Sequence, residues 1–404
     1  DLGDNIQHST FNIQHLLVVL TPAIPPNHQE WAWFKNNGFT ILKRSQVLGL
    51  ISQNHQTIGV AGTHGKTTTS TLIAHILKHS SVDCSAFLGG ISTNYNTNLL
   101  LANQPINQST NQQIVVIEAD EFDRSFLTLY PTIAIITSTD ADHLDIYGEH
   151  NELKKSFLDY TNRLVNGGTL IIKKELDLIN DVTVNYITYS IESEADVYAK
   201  NILITKGNYT FDLVYKGNEI NNLHLGIPGL HNVENAVAAS AACLMSGVTE
   251  NELRVALLGF KGVKRRFEYV IKNDSQIYID DYAHHPEELR AIISSVKNMF
   301  PSHEIVVAFQ PHLFSRTRDF VDGFAESLSL ANEVFLLDIY PARELPIEGI
   351  TSKIIFDKMT CKKHLVSRNE LLEALKNNQP KVFLTLGAGD IDLLINPIKE
   401  ILEK

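Results

Sequence analysis

The sequence predicts an α/β protein built on parallel β-sheets and divided into three parts. Two observations carry that prediction. Short, uninterrupted apolar runs at residues 114–117 (IVVI) and 133–137 (IAIIT) are separated by helix-compatible segments, the pattern of strands buried on both faces of a sheet. An earlier apolar run, opening at residue 58, ends in a glycine turn and feeds a helix-compatible stretch reaching His79. After Phe260 the alternation begins again.

Taken in order, residues 16–20 (LLVVL) read as a buried strand, and TPAIPPNHQEW as a proline-rich turn into a helix. A second short strand at 39–42 and a helix at 45–52 complete a small piece, residues 1–54, too short for a comfortable core of its own. Residues 55–259 form the expected central domain, with a phosphate-loop strand and helix first. A polar Asn/Gln stretch at 103–113 reads as a solvated loop. Residues 182–225 change to alternating patterns (VTVNYITYS, DVYAKNILIT, YTFDLVYKG, EINNLHLGI) and suggest a small antiparallel β insertion. An alanine-rich helix at 232–246 closes the domain. Residues 260–404 read as a Rossmann-like domain: strands at 276–279, 304–308, 333–338 and 382–385, with helices at 286–299 and 319–331. Its last strand ends in LGAGD, read as a strand-to-helix turn near a cleft, since GxG alone is a weak nucleotide signal.

Composition narrows the function classes. The chain has 404 residues, 44% hydrophobic and 20% charged, in the ordinary globular range. A net charge of −12 argues against nucleic-acid binding through general phosphate neutralisation, so an anionic ligand needs a local cationic cluster. Cys84, Cys243 and Cys361 are far apart without metal-ligand spacing, which suits buried thiols in a reducing, cytoplasmic setting. No signal pattern opens the chain and no apolar run reaches the length of a membrane span.

The strongest chemical signal is residues 58–70, IGVAGTHGKTTTS. Glycines let the backbone approach an anion, backbone N–H groups and a helix N-terminus supply partial positive charge, and a lysine supplies a full one. Gly62, Thr63, His64, Gly65, Lys66, Thr67 and Thr68 meet those needs, and Thr67 has the hydroxyl expected on a nucleotide-bound magnesium. The pattern G-x-x-x-x-G-K-[ST] is not met, because Val60 stands six before Lys66; the loop is a shorter G-T-H-G-K-T.

Further residues gather beyond strand ends, where open parallel sheets bind ligands. Glu118, ending the run at 114–117, reads either as a magnesium carboxylate or as part of a solvated acidic turn with Asp120, Glu121 and Asp123. His143, past the strand at 133–137, is placed for metal or substrate. In GLHNVEN, His231, Asn232 and Asn235 offer groups able to read a base edge, with Asn232 equally a helix N-cap. KGVKRRFE sets Arg265 and Arg266 at a domain boundary, for phosphates across a cleft or as a basic surface turn. DDYAHHPEE (280–288) and FQPHLFSRTRD (309–319) each cluster charged residues and histidines where a strand feeds a helix.

With GTHGKTTT, EADEFDRSF, DADHLDIYG, GLHNVENAVAA, GVKRRFE, DDYAHHPEE, FQPHLFSRTRDF and DIYPAREL in this order, the chain resembles the Mur ligase family, closely over 55–404 and loosely over 16–54. The resemblance implies a three-domain fold and an ATP- and Mg2+-dependent, ADP-forming amide ligase acting through an acyl phosphate. DDYAHHP and FQPHLFSRT point, within the family, to the branch that adds L-alanine to UDP-N-acetylmuramate; the peptide-recycling branch is the nearest alternative. By the same resemblance Lys66 holds the β- and γ-phosphates, and Thr67 and Glu118 hold one Mg2+. His143 serves a second metal. His231, Asn232 and Asn235 face adenine, Arg266 the phosphates and Asp281 the ribose. Tyr282, His284 and Arg316 line the alanine site, Arg316 pairing the carboxylate. Lys66, His143, Arg266 and His284 are the expected catalytic residues, in a monomer or homodimer.

Two departures stand out. Leu313 follows the histidine of the FQPH segment where many relatives carry arginine, leaving more of the carboxylate recognition to Arg316. No glycine-rich turn for a UDP diphosphate precedes Leu16, and the expectation is an amino-terminal segment missing from this sequence, because the catalytic motifs look complete. Lys154 and Lys155 lie in the neighbourhood of the carbamoylated lysine of sister ligases without a clear match. From a different class, a non-catalytic nucleotide-binding relative would need the loop but not Glu118, His143 and Arg266 together. A folylpolyglutamate-type ligase shares the loop but not the later segments.

Overall fold

The computed structural model describes residues 16–21, 24–25, 27–103, 113–140, 147, 150–205, 208–342 and 344–404. The polar stretch at 103–113 and His143 fall almost wholly and wholly outside them.

Two parallel strands open the fold, β1 (Leu17–Leu20) and β2 (Thr40–Lys43), with helices α1 (Gln29–Asn36) and α2 (Arg44–Gln53). Contrary to expectation β1 is not buried: Leu17 and Val19 are exposed, because only β2 pairs with it among the described residues. Helix α2 does not stand alone. Leu48 joins the core of the next unit, and the Thr128 hydroxyl donates to Ser45 O at 2.8 Å.

The central unit runs β3 (Gln56–Ala61), α3 (Lys66–Lys78), β4 (Ser85–Ser92), β5 (Thr97–Leu100), β6 (Ile114–Glu118), β7 (Ile133–Ile136), α4 (His150–Thr161), β8 (Thr169–Lys173), β9 (Tyr186–Ser190), β10 (Val197–Thr205), β11 (Asn208–Tyr215), β12 (Asn218–Leu225), α5 (Leu230–Met245) and α6 (Glu250–Gly259). One ten-stranded sheet has the order β12-β11-β10-β9-β8-β7-β3-β6-β4-β5. Side chains alternate across it. Ile58, Val60, Ile114, Val116 and Ile135 face Leu72, Ile73, Ala236 and Ala239 of α3 and α5. Ala61, Val115, Ile117, Ala134 and Ile136 face Phe157 and Tyr160 of α4. With both faces covered, the middles of these strands are apolar on both sides, which explains the uninterrupted runs. The expected antiparallel insertion is corrected in two ways. β9 pairs in parallel with β8 and β10, and the antiparallel β10–β11–β12 meander extends the edge of the same sheet. A parallel edge strand and an antiparallel one carry the same alternation, so the pattern alone did not separate them.

The third unit contains β13 (Glu268–Lys272), β14 (Ile277–Asp281), α7 (Pro286–Met299), β15 (Ile305–Phe309), α8 (Phe314–Asp319), α9 (Val321–Leu328), β16 (Glu333–Leu336), α10 (Lys353–Lys358), β17 (Lys362–Leu365), α11 (Arg368–Asn377), β18 (Val382–Leu386) and α12 (Ile395–Leu402). Its sheet order is β13-β14-β18-β15-β16-β17, parallel except for β13. Helix α7 starts with Pro286 and a reciprocal cap between His285 and Glu288, then buries Leu289, Ile292, Ile293 and Val296 at helical spacing. The helix expected at 319–331 is the shorter α9, and the short helix α8 that precedes it at Phe320 was not expected. The carboxyl ends of β3, β7, β8 and β14 open on one cavity between the second and third units.

Candidate active site

The phosphate loop is shaped by two glycines with φ of 138° (Gly62) and 81° (Gly65), a region that side chains with a Cβ disfavour. A Cβ on Gly62 would also run into Thr137 Oγ1. The loop is tied to the end of β7. Thr63 N donates to Ser138 O at 3.2 Å, His64 N to Ser138 Oγ at 2.7 Å, and the Thr137 hydroxyl donates to His64 O. Gly65 caps α3, whose first N–H groups face the cavity mouth.

Lys66 lies in the loop's own curve. Its ammonium donates to Gly62 O at 2.6 Å, Thr63 O at 3.3 Å and Glu121 Oε1 at 2.8 Å, the last a fully buried carboxylate. Beside it the Thr67 hydroxyl donates to Glu118 Oε1 at 3.0 Å, and Gly89 N to Glu118 Oε2 at 2.9 Å. Burial raises the Glu118 carboxyl above its usual pKa, against the pull of Lys66 and of those hydrogen bonds. A hydroxyl and a carboxylate side by side are hard oxygen donors of the kind Mg2+ takes together with phosphate oxygens and water. Among the described residues no group of three or more His, Cys, Asp or Glu is gathered for a metal.

The opposite wall comes from the third unit. Arg265 and Arg266, equivalent in the sequence, part company. Arg265 pairs with buried Asp280 at 3.1 Å and donates to Gly387 O at 2.6 Å, so it holds the fold. Arg266 is exposed and lines the cavity, its guanidinium 5.4 Å from the Tyr282 ring. Asp281 accepts from Phe267 N at 2.6 Å and Ala283 N at 2.8 Å, and burial lifts its pKa to about 6 despite Arg266.

His231, Asn232 and Asn235 all reach the cavity wall. Asn232 is not an N-cap: α5 is capped at Gly229, and the Asn232 amide donates back to Pro228 O. Its Oδ1 accepts from Asn235 Nδ2 at 3.3 Å, and Asn235 Oδ1 accepts from the Thr69 hydroxyl at 3.2 Å. These amides brace α5 against the phosphate-loop helix.

Tyr282, His284 and Arg316 do not line this cavity; they gather beside it. His284 Nδ1 donates to Tyr282 O at 3.0 Å, which leaves Nε2 with its lone pair. Its ring lies 5.2 Å from Tyr282 and 6.1 Å from His312. Burial lowers the His284 pKa, with Glu288 opposing and Arg316 reinforcing the shift. Glu288 links the two clusters, accepting from His284 N at 2.9 Å while lining the cavity. The Arg316 guanidinium has no ion pair among the described residues. Leu313 precedes α8 with φ of 72°, its N–H donating to Tyr340 O at 2.9 Å. Lys154 pairs with Asp177 at 3.6 Å.

Sequence reasoning did not single out Glu121, Gly89, Thr137, Ser138, Glu288, Lys173 or Glu234. A signal existed for some. The pair Gly89–Gly90 inside a strand marks close approach of another group, and Thr137–Ser138 stand past a strand end on the ligand edge.

Residues 60–243 match the family model of the Mur ligase middle domain, and residues 265–389 that of the Mur ligase, glutamate ligase domain. The chain belongs to the Mur ligase family. Curated relatives in the family include the UDP-N-acetylmuramate–L-alanine ligase of Cytophaga hutchinsonii, 47% identical over 391 residues, 96% of this chain and 83% of that protein. The enzyme of that name from Porphyromonas gingivalis is 49% identical over 405 residues, 98% of this chain and 87% of its own length. Among solved Mur ligases, MurC of Thermotoga maritima superposes with a TM-score of 0.77 at 28% identity, covering 96% of this chain and 84% of that one. A murein peptide ligase from Psychrobacter arcticus, at 23% identity and a TM-score of 0.67, shares the fold.

Proposed function

We propose that this Mur ligase joins L-alanine to the lactyl carboxylate of UDP-N-acetylmuramate in the cytoplasm, in peptidoglycan precursor synthesis, converting ATP to ADP and phosphate. The observation that carries it is the 47–49% identity, over nearly the whole chain, to relatives bearing that name. The site supports it. The expected three-domain division, at about residues 54 and 260, puts the cavity between the central and C-terminal domains.

In this account the N–H groups of the loop and of the first turn of α3 receive the phosphates, with Lys66 and Arg266 supplying charge from opposite walls. Thr67 and Glu118 would hold Mg2+, and His143 a second ion; bound there, the metal neutralises charge building on the phosphate oxygens. Once the lactyl carboxylate carries the transferred phosphoryl group as an acyl phosphate, the alanine amine attacks the carbonyl carbon and phosphate leaves. Arg316 pairs the alanine carboxylate. His284, held neutral by burial with Nε2 open, takes a proton from the alanine ammonium. Asp281, anchored by two backbone amides, has lone pairs left for ribose hydroxyls.

An omission assay tests the reading. Phosphate release is expected only when ATP, the muramoyl nucleotide and L-alanine are all present. Release independent of the muramoyl nucleotide and alanine would overturn it.

A further inference from the structure

In this structure every donor of the phosphate-loop lysine is taken. An ammonium carries three N–H groups. Those of Lys66 meet Gly62 O at 2.6 Å, Thr63 O at 3.3 Å and Glu121 Oε1 at 2.8 Å. The two carbonyls belong to the loop itself, but the carboxylate comes from another element. Glu121 stands just after β6, beside the loop because β6 runs parallel to β3 with Glu118 opposite Val60. Its main-chain carbonyl accepts from the Tyr147 hydroxyl at 2.6 Å and from Arg124 N at 2.9 Å. Asp123 and Arg124, which follow, take left-handed φ of 53° and 54°, a conformation that residues with a Cβ disfavour. This segment is therefore held by contacts of its own and presents Glu121 to the lysine from a fixed place. The neighbouring Glu118 lines the cavity with Thr67, whereas Glu121 is fully buried behind the cavity wall. The two carboxylates do different work.

Resting on the reading that ATP is the phosphoryl donor, we propose that Glu121 is a positioning residue acting through Lys66. It holds the ammonium back against the loop, and the lysine exchanges this carboxylate for the γ-phosphate when ATP binds. Bridging the β- and γ-phosphates takes two of the ammonium's three donors. The short contact to Gly62 O keeps the third, so Thr63 O and Glu121 both give way. ADP presents only the β-phosphate and takes one donor. The long contact to Thr63 O yields first, and Glu121 keeps its partner. Parting a buried carboxylate from its cation is costly, and this cost falls on ATP alone. Once the γ-phosphoryl group has moved to the lactyl carboxylate, the lysine returns to Glu121.

The test is calorimetric titration of the full chain with ADP and with the non-hydrolysable β,γ-imido analogue of ATP, both with magnesium. Glu121→Gln keeps the side-chain shape and an acceptor oxygen but removes the charge. It should bind the analogue about tenfold more tightly, the difference between a charge-assisted hydrogen bond and a neutral one, and bind ADP as before. A folding defect would weaken both ligands together. A ratio of the two dissociation constants that stays at the unsubstituted value, or moves against the analogue, overturns the proposal. Added to Lys66→Ala, the same substitution should leave that variant's ratio unchanged, and a ratio that still shifts overturns the route through the lysine. Where Glu121→Gln does not fold, crystals of the unsubstituted protein decide. Lys66 Nζ is expected on Glu121 with ADP, and on the γ-phosphate, out of hydrogen-bonding reach of Glu121, with the analogue. A Lys66–Glu121 contact retained with the analogue overturns the proposal. Failure of the proposed function shows separately, as an unsubstituted protein with this nucleotide contrast that releases no phosphate with ATP, alanine and the muramoyl nucleotide.

Discussion

Gly89 holds the Glu118 carboxylate in place, and Gly89→Ala isolates that contribution. The Gly89 φ is not left-handed, so alanine costs the backbone little. The added Cβ, however, would press on both oxygens of Glu118, more than an ångström inside ordinary contact. The carboxylate must recede by at least that much, giving up the 3.0 Å bond from Thr67 and the 2.9 Å bond from Gly89. Hydrogen bonds to a charged group are worth about 1.5–3 kcal/mol each, so a stability loss of about that size is expected as the displaced carboxylate finds water in the cavity. The functional loss is larger, because a shift of about 1 Å in a positioning group costs on the order of a hundredfold in rate. Phosphate release measured across a magnesium titration, with thermal unfolding of the same sample, separates the two effects. The variant should be folded, slow, and half-saturated only at higher magnesium. A folded variant with the original rate and magnesium dependence would refute the role given to Glu118.

Lys66→Ala should lower kcat by about a hundredfold to a thousandfold, the cost of removing a preorganised charge from a developing transition state, and full activity would contradict its assignment. Arg316→Ala should raise the KM for alanine by about thirtyfold or more while leaving that for ATP unchanged, the signature of one lost carboxylate partner; equal changes in both would point to a folding defect. His75 is fully buried, Nε2 donating to Ala256 O at 3.1 Å and Nδ1 accepting from the Tyr95 hydroxyl at 3.1 Å. Burial, with His79 adding to it, holds its pKa at about 4. The unfolded chain therefore binds the extra proton first, so this contribution is complete above pH 6.5 and is lost as pH falls towards 4, about 3 kcal/mol in all. Asp281, raised to about 6, acts in the opposite sense in an overlapping window, so the effect is read as the difference between the unsubstituted protein and His75→Gln in urea unfolding at several pH values. Parallel pH profiles would refute it.

The parallel sheet was legible because β3, β6 and β7 are covered on both faces, which leaves polar residues only at the strand ends. The phosphate loop was legible because its chemistry is local: a strand end, two glycines, a lysine and a helix start. What the sequence hid was set by segments meeting in space. The Thr67–Glu118 contact spans 51 positions and Thr69–Asn235 spans 166, and nothing near Asn235 says that its amide, on the cavity wall, also accepts from the α3 residue Thr69. Glu121 read as one of four acidic turn residues, and its pairing with Lys66 follows only once β6 lies beside β3. Arg265 and Arg266 are adjacent in sequence, yet left-handed backbone at Arg265 and Phe267 sends one to Asp280 and the other to the cavity. β1 was misjudged because an apolar run looks the same whether or not a second layer covers it.

In the proposed function, amide formation at this site passes through an acyl phosphate built on the muramoyl carboxylate. Its most direct test is to label both carboxylate oxygens of the muramoyl nucleotide with heavy oxygen and follow the label through turnover with ATP and L-alanine. One labelled oxygen is expected in the released phosphate and the other in the amide carbonyl of the alanyl product. Unlabelled phosphate accompanying the same product would contradict it.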